Sequence, residues 1–230
     1  ALPDMTFHEE LVRETETERQ YLLSSPIIIR ALEGKIELLD YVSFLTQAYH
    51  HVRHTVPLLM ATGARLADDK EWLREAVAGY IREELGHQEW VLNDIAACGF
   101  DREAARRSLP GAATELMVAY AYDTVHRVDP LGFFGMVHVL EGTSITVASQ
   151  AASIIRERLG LPENAFTYLS SHGSLDIGHM RFFESLMNRI DDRRERAIIV
   201  HAARMFFALY ANVFRTLPLP DFLRDATPVV

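Results

Sequence analysis

Three side chains that bind metals stand close together in His172-Gly-Ser-Leu-Asp176-Ile-Gly-His179. Asp176 follows His172 by four residues and His179 follows Asp176 by three, so at roughly 100° per residue all three fall on one face of a helix. Two imidazoles and a carboxylate on one stripe form a chelating set suited to Fe, Mn or Zn, with no thiolate taking part. Leu175, Ile177, Met180, Phe182 and Phe183 surround them in the sequence, and unpartnered polar groups in such company are costly to bury. Any one of the three alone reads equally as a surface residue or a hydrogen-bonded core residue. Their joint spacing is what points to a metal.

Other helices must complete the set. Glu84-Leu-Gly-His87 places a carboxylate and an imidazole at i, i+3, the spacing by which helical di-iron carboxylate sites present paired ligands, and Asp176 with His179 repeats it. Glu141 is the only formal charge between Pro130 and Ile155. A lone carboxylate in a buried helix must shift its pKa, pair with a cation or bind a metal, which leaves Glu141 as a ligand or as the partner of an Arg on another helix. Glu84, His87, Glu141, His172, Asp176 and His179 are three His and three carboxylates from three helices, enough for two irons with open positions. Gly86, Gly142, Gly173 and Gly178 stand beside them at about 1 kcal/mol each in a helix interior. Close approach of backbone or substrate explains them, and so does simple helix packing. His138 precedes Glu141 by three residues and is expected on its face as an outer partner of the site. His50 and His54 read as solvated, and the Phe residues 133, 134, 182, 183, 206 and 207 as core.

The elements that hold these residues read as helices throughout. Apolar positions Phe7, Leu11, Val12, Tyr21 and Leu22 predict a first amphipathic helix over 7–23, ended by Pro26. A short segment over 27–32 precedes Gly34, and a long helix over 37–65 is kinked at Pro57. Asp68 or Asp69 caps a helix running to 97 that carries both Glu84 and His87, and Cys98-Gly99 stops it. Shorter helices cover 101–109 and 112–125. Asp129-Pro130 is a strong start signal and Gly160 a matching stop. The helix between them is apolar on nearly every face and is expected to lie inside the molecule. A helix over 163–190 carries the metal stripe, and Asp191 or Asp192 restarts the last one over 193–217. With no alternating apolar and polar run, the fold is predicted all-α, about seven or eight helices around one core in a single domain over 1–230.

Composition excludes several functions. Formal charge is −9, with two Lys against 21 Arg and no sustained basic stripe, so nucleic acid is not an expected partner. Cys98 is the only cysteine, which fits a reducing, cytoplasmic compartment. Neither a signal sequence nor an uninterrupted apolar run of about 18 residues is apparent, and no membrane partner is expected.

The patterns Glu-x-x-His (Glu84, His87), Leu-Glu-Gly (Leu140, Glu141, Gly142) and His-x3-Asp-x2-His (His172, Asp176, His179), in that order on separate helices, resemble the haem-oxygenase-like di-iron oxidases and oxygenases. These include a fatty-acid decarboxylase, amino-acid fragmenting enzymes and N-oxygenases. The resemblance runs from about residue 7 to 217. It implies a TenA-like helical bundle and two Fe(II) per chain on the six named residues, with O2 as co-substrate. The implied chemistry is oxidative C–C cleavage, desaturation or hydroxylation of a small or medium carboxylic acid, an amino acid or a fatty acid. A homodimer is the expected assembly. Gly135, Gly142, Ala148 and Ala151 leave room for a substrate chain or let helices pack closely.

The fold implied by the resemblance hosts other chemistries. Haem oxygenases hold haem through a His on the first helix, where this chain has only His8, ahead of Arg13-Glu14-Thr15. Thiaminase-like relatives use a mid-chain Cys and an Asp on the second long helix. The stretch Phe44-Leu-Thr-Gln-Ala48-Tyr-His-His51 is similar to theirs, but Ala48 stands at the Asp position and Cys98 lies at a helix end. The same likeness turns His51 toward the pocket, to orient a carboxylate or relay a proton. A binding or regulatory protein without catalysis is the third alternative, and iron content separates it from an enzyme.

Overall fold

A capping box starts the fold. Thr6 Oγ1 accepts from the Glu9 N–H at 3.3 Å and the Glu9 carboxylate accepts from the Thr6 N–H at 2.8 Å, opening α1 (Phe7–Glu14) with its end groups satisfied. The computed structural model describes residues 4–224, and all of their side chains except those of residues 172–177. Thr15 ends α1 by donating its hydroxyl hydrogen to Leu11 O at 2.7 Å, and the chain restarts as α2 (Glu16–Leu23). The helix predicted over 7–23 is thus two. Phe7, Leu11 and Leu22 are buried, whereas Val12 and Tyr21 face solvent.

Pro26 is the first residue of α3 (Pro26–Leu32), as its fixed φ favours. The long helix expected through residue 65 is divided into α4 (Leu38–Val52) and α5 (Thr55–Arg65). Pro57 accounts for the division: its ring clashes with the carbonyl four residues earlier, that of Arg53, so the break falls at Arg53–His54 and the proline sits in the first turn of α5. A second break separates α6 (Glu71–Glu84) from α7 (His87–Ala97). Leu85 leaves helical geometry at ψ 120 and Gly86 takes φ 90, in the left-handed region that glycine enters without a Cβ clash. Glu84 and His87 therefore do not share a helix, contrary to expectation.

After α8 (Arg102–Arg107) and α9 (Ala112–Asp123), Asp129 Oδ1 accepts from the Leu131 N–H at 2.8 Å and a helix runs unbroken from Pro130 to Leu159. It comprises a 3-10 turn, α10 (Phe133–Thr143), a π-helical turn over Ser144–Ala148 and α11 (Ser149–Leu159), and Gly160 ends it at φ 64. Its first half is deeply buried, but Thr146, Ser149, Gln150 and Ser153 are exposed, so the helix leaves the core instead of staying inside it. Then come α12 (Thr167–Met187), α13 (Arg193–Arg215), opened by Asp192 accepting from the Arg194 N–H at 2.7 Å, and α14 (Asp221–Arg224). These are more segments than the seven or eight expected, because Thr15, Pro57 and Gly86 divide longer runs. No strand occurs among the described residues.

Helices α10 and α13 form the most extensive helix pair among the described residues. Gly135 makes their close approach possible, since a Cβ there would sit 2.6 Å from the Ala203 backbone nitrogen. The Pro130–Leu159 helix and α13 are each long and apolar enough to cross a bilayer by length and composition. Both also spend their apolar faces on this core, with Phe134, Val139, Phe206 and Phe207 buried. Asp94 of α7, fully buried, caps α12 from a neighbouring helix: Oδ1 accepts from the Thr167 N–H at 3.1 Å and from its hydroxyl, and Oδ2 accepts from the Tyr168 N–H at 2.9 Å.

Candidate functional site

The end of α6, the start of α7 and the middle of α10 bring the first candidate residues together. The bend at Leu85–Gly86 turns α7 back so that His87 Nδ1 lies 3.0 Å from Glu84 Oε2, with the imidazole buried and stacked on Trp90 at 4.0 Å between ring centroids. The pair expected from helical spacing forms across a glycine-based break instead. Glu84 lines a cavity of about 80 Å3, and Glu141 of α10 and His51 of α4 line the same space. Leu59, Phe133 and Met136 supply apolar wall around these polar groups. His51 is buried and meets Tyr210 edge to face at 5.7 Å.

A second cavity of about 80 Å3 adjoins the first. Ser144, Tyr168 and Tyr210 line both, while Ile27, Phe44, Val147, Ala148, Ala151 and Phe214 make the second almost wholly apolar. Burial raises the Tyr210 phenol above its ordinary pKa, keeping it a neutral donor at the junction. Three of the four small residues of the long apolar helix divide between the two explanations. Ala148 and Ala151 leave cavity space, whereas Gly135 serves packing against α13. A Cβ on Gly142 or Gly178 would meet nothing within 4 Å, so neither close backbone approach nor helix packing requires glycine at these two. Gly86 is required by its φ.

The other candidates are placed differently. His179 lies on α12 with Nε2 2.9 Å from Glu83 Oε2, beside Glu84 in the chain but on a residue that spacing arguments passed over. His172, Gly173 and Asp176 fall outside the described side chains. His138 does not share a cavity with Glu141: it lines a separate cleft against α1, 3.4 Å from Thr15 Oγ1, and residues three apart on a helix diverge by about 60°. His50 is not solvated, and His54 is only half-buried. His50 is buried with Nε2 2.9 Å from Ser108 Oγ, and His54 Nδ1 lies 2.8 Å from the Tyr122 hydroxyl. Burial lowers both imidazoles, His50 to about 4. Phe182 is largely exposed, unlike the other five Phe expected in the core. Burial pushes the Cys98 thiol up to about 12, which leaves it protonated and unsuited to act as a nucleophile.

The donors gathered here are carboxylate and imidazole, the hard and borderline set that iron accepts. Glu84, Glu141 and His87 fit such an ion by type. Among the described residues no three His, Cys, Asp or Glu side chains converge as a metal-binding cluster.

The sequence pattern of a family described as iron-containing redox enzymes matches residues 42–211. A comparison with curated proteins gives no match. Among solved structures, a domain of unknown function with a heme oxygenase-like fold from Shewanella denitrificans is similar with TM-score 0.82 at 23% identity, over 92% of this chain and 91% of the other. A TenA homolog from Pseudomonas syringae gives TM-score 0.75 at 12% identity, over 91% of each chain. Heme oxygenase from Leptospira interrogans gives 0.72 at 16%, over 92% of this chain and 99% of the other. At these identities the likeness establishes the all-α, haem-oxygenase-like and TenA-like fold.

Proposed function

Because the chain belongs to the family of iron-containing redox enzymes, we propose that it is a dioxygen-dependent, non-haem di-iron oxidoreductase acting on a small or medium carboxylic acid, an amino acid or a fatty acid. The observation that carries this reading is the meeting of Glu84 and Glu141, from separate helices, on one cavity with His87 against Glu84. Glu84, His87, Glu141 and His179, with His172 and Asp176, are the residues that would hold two Fe(II). Bound there, iron would supply activation of O2 and oxidation of the substrate by C–C cleavage, desaturation or hydroxylation.

The chain's own residues orient the acid. Its apolar part lies against Phe44, Val147 and Ala151, and the junction at Ser144, Tyr168 and Tyr210 directs it toward Glu84 and Glu141. Neither cavity has an Arg or Lys among its described lining residues, which leaves His51 as the group that meets the substrate carboxylate or moves a proton at its imidazole. The apolar walls exclude water from the reacting end.

The test joins metal and substrate. Anaerobic iron binding should reach about two ions per chain and fall in Glu141→Ala and His172→Ala, and the iron-loaded protein should consume a carboxylic acid from a mixed amino-acid and fatty-acid library only when O2 is admitted. Unchanged iron stoichiometry in both variants would sink the site. Turnover by zinc-loaded protein without O2 would replace the oxidase with a hydrolase.

A further inference from the structure

From the cleft between α1 and α10 we infer that His8 and His138 form a second metal site, for a borderline divalent ion such as zinc(II), apart from the Glu84–Glu141 cavity. The cleft has a volume of about 570 Å3, and both imidazoles line it. Nε2 of His8 and Nδ1 of His138 are each buried without a hydrogen-bond partner. His138 itself is only 6% exposed, so its idle nitrogen is a costly feature unless something binds it.

Hydrogen bonding decides which His138 nitrogen offers a lone pair. The Thr15 hydroxyl hydrogen is committed to Leu11 O at 2.7 Å, so toward His138 Nε2, 3.4 Å away, the Thr15 oxygen can only accept. Nε2 therefore carries the proton and Nδ1 presents its lone pair. An imidazole whose far N–H is held by a fixed oxygen is the arrangement that orients histidine ligands toward a metal. Burial keeps this ring neutral, as ligation requires, by lowering His138 to about 3.

Distance allows one ion to join the two rings. Their centroids are 6.1 Å apart and the planes are nearly perpendicular. With metal–nitrogen bonds of about 2.0–2.1 Å, two rings on one ion have centroids no more than about 6.5 Å apart. His8 is held at its backbone, whose N–H donates to Asn188 Oδ1 at 2.9 Å. The surrounding charge is balanced: Glu16 pairs with Arg19 at 3.3 Å, and Glu184 and Arg181 share the cleft wall. Glu184 is near enough for its charge to act on His8. Ligation by nitrogen, with water in the open cleft as further ligands, must hold the ion; a pool of negative charge is not what attracts it.

Cobalt(II), which reports nitrogen ligation by its visible absorption, is the probe. Metal-free protein is titrated as wild type, His8→Ala, Thr15→Val and Glu141→Ala, with helix content checked by circular dichroism. Two classes of binding are expected. His8→Ala should abolish one of them, and Thr15→Val, which keeps the side-chain shape but removes the acceptor, should weaken that same class roughly ten- to hundredfold. The class lost in Glu141→Ala should be untouched by either. Cobalt binding in His8→Ala and Thr15→Val equal to wild type overturns the inference, and if Thr15→Val does not fold, His8→Ala decides alone. Loss confined to Glu141→Ala refutes this site and keeps the iron reading, whereas loss only in His8→Ala supports this site and removes the other.

Discussion

Replacing Asp94 with alanine tests the idea that α7 sets the start of α12. In the native chain the Asp94 carboxylate accepts from the backbone N–H groups of Thr167 and Tyr168 at 3.1 and 2.9 Å, and from the Thr167 hydroxyl. No residue of α12's own start provides a side-chain cap, so Asp94→Ala leaves buried donors without an acceptor. Two backbone bonds to a charged acceptor, at roughly 1.5 kcal/mol each, amount to about 3 kcal/mol. The hydroxyl bond adds to this, while relief from carboxylate desolvation, which holds the Asp94 pKa above its ordinary value, subtracts. A net loss of about 3 kcal/mol lowers the melting temperature by about 6–12 °C in a chain of this size. Thermal unfolding at pH 7 by circular dichroism measures it. Hydrogen exchange should show the extra opening first in the early turns of α12. A melting temperature within about 2 °C of wild type, at the precision of such a scan, would refute the capping argument.

Two further outcomes follow from burial and close contact. Gly135→Ala places a Cβ 2.6 Å from Ala203 N and 2.9 Å from Ala202 C, and should cost about 1–3 kcal/mol in urea unfolding by overpacking. Gly142→Ala meets nothing within 4 Å and should stabilise by about 0.5–1 kcal/mol; equal effects at the two positions would contradict the packing described. His50 is lowered to about 4 by burial, then by Arg53 and His54, and His138 to about 3. Folded pKa values below the unfolded value mean stability present above pH 6.5 and lost as pH falls toward 4 and then 3. His50→Asn should flatten the fall in melting temperature between pH 6.5 and 4, and an unchanged slope would argue against this origin.

The all-α class, the cap at Asp129, a cap at Asp191 or Asp192 and the stop at Gly160 follow from the sequence alone, because periodicity and end chemistry are local; packing chose Asp192. Glu141 stood out for the same reason, as a single charge in a long apolar run. Tertiary structure decided the rest. A three-residue spacing cannot tell a continuous helix from a break rebuilt by Gly86, yet both bring Glu84 to His87. Nor can it say which of His138 and Glu141 looks into which cavity, since a separation of about 60° on one helix becomes two separate spaces only when residues of α4 wall one and residues of α1 the other. Asp94 and His50 lay wholly beyond local pattern. Their partners, Thr167 with Tyr168 and Ser108, are far away in the chain, and only the packed core decides that a polar side chain is buried and which distant group satisfies it.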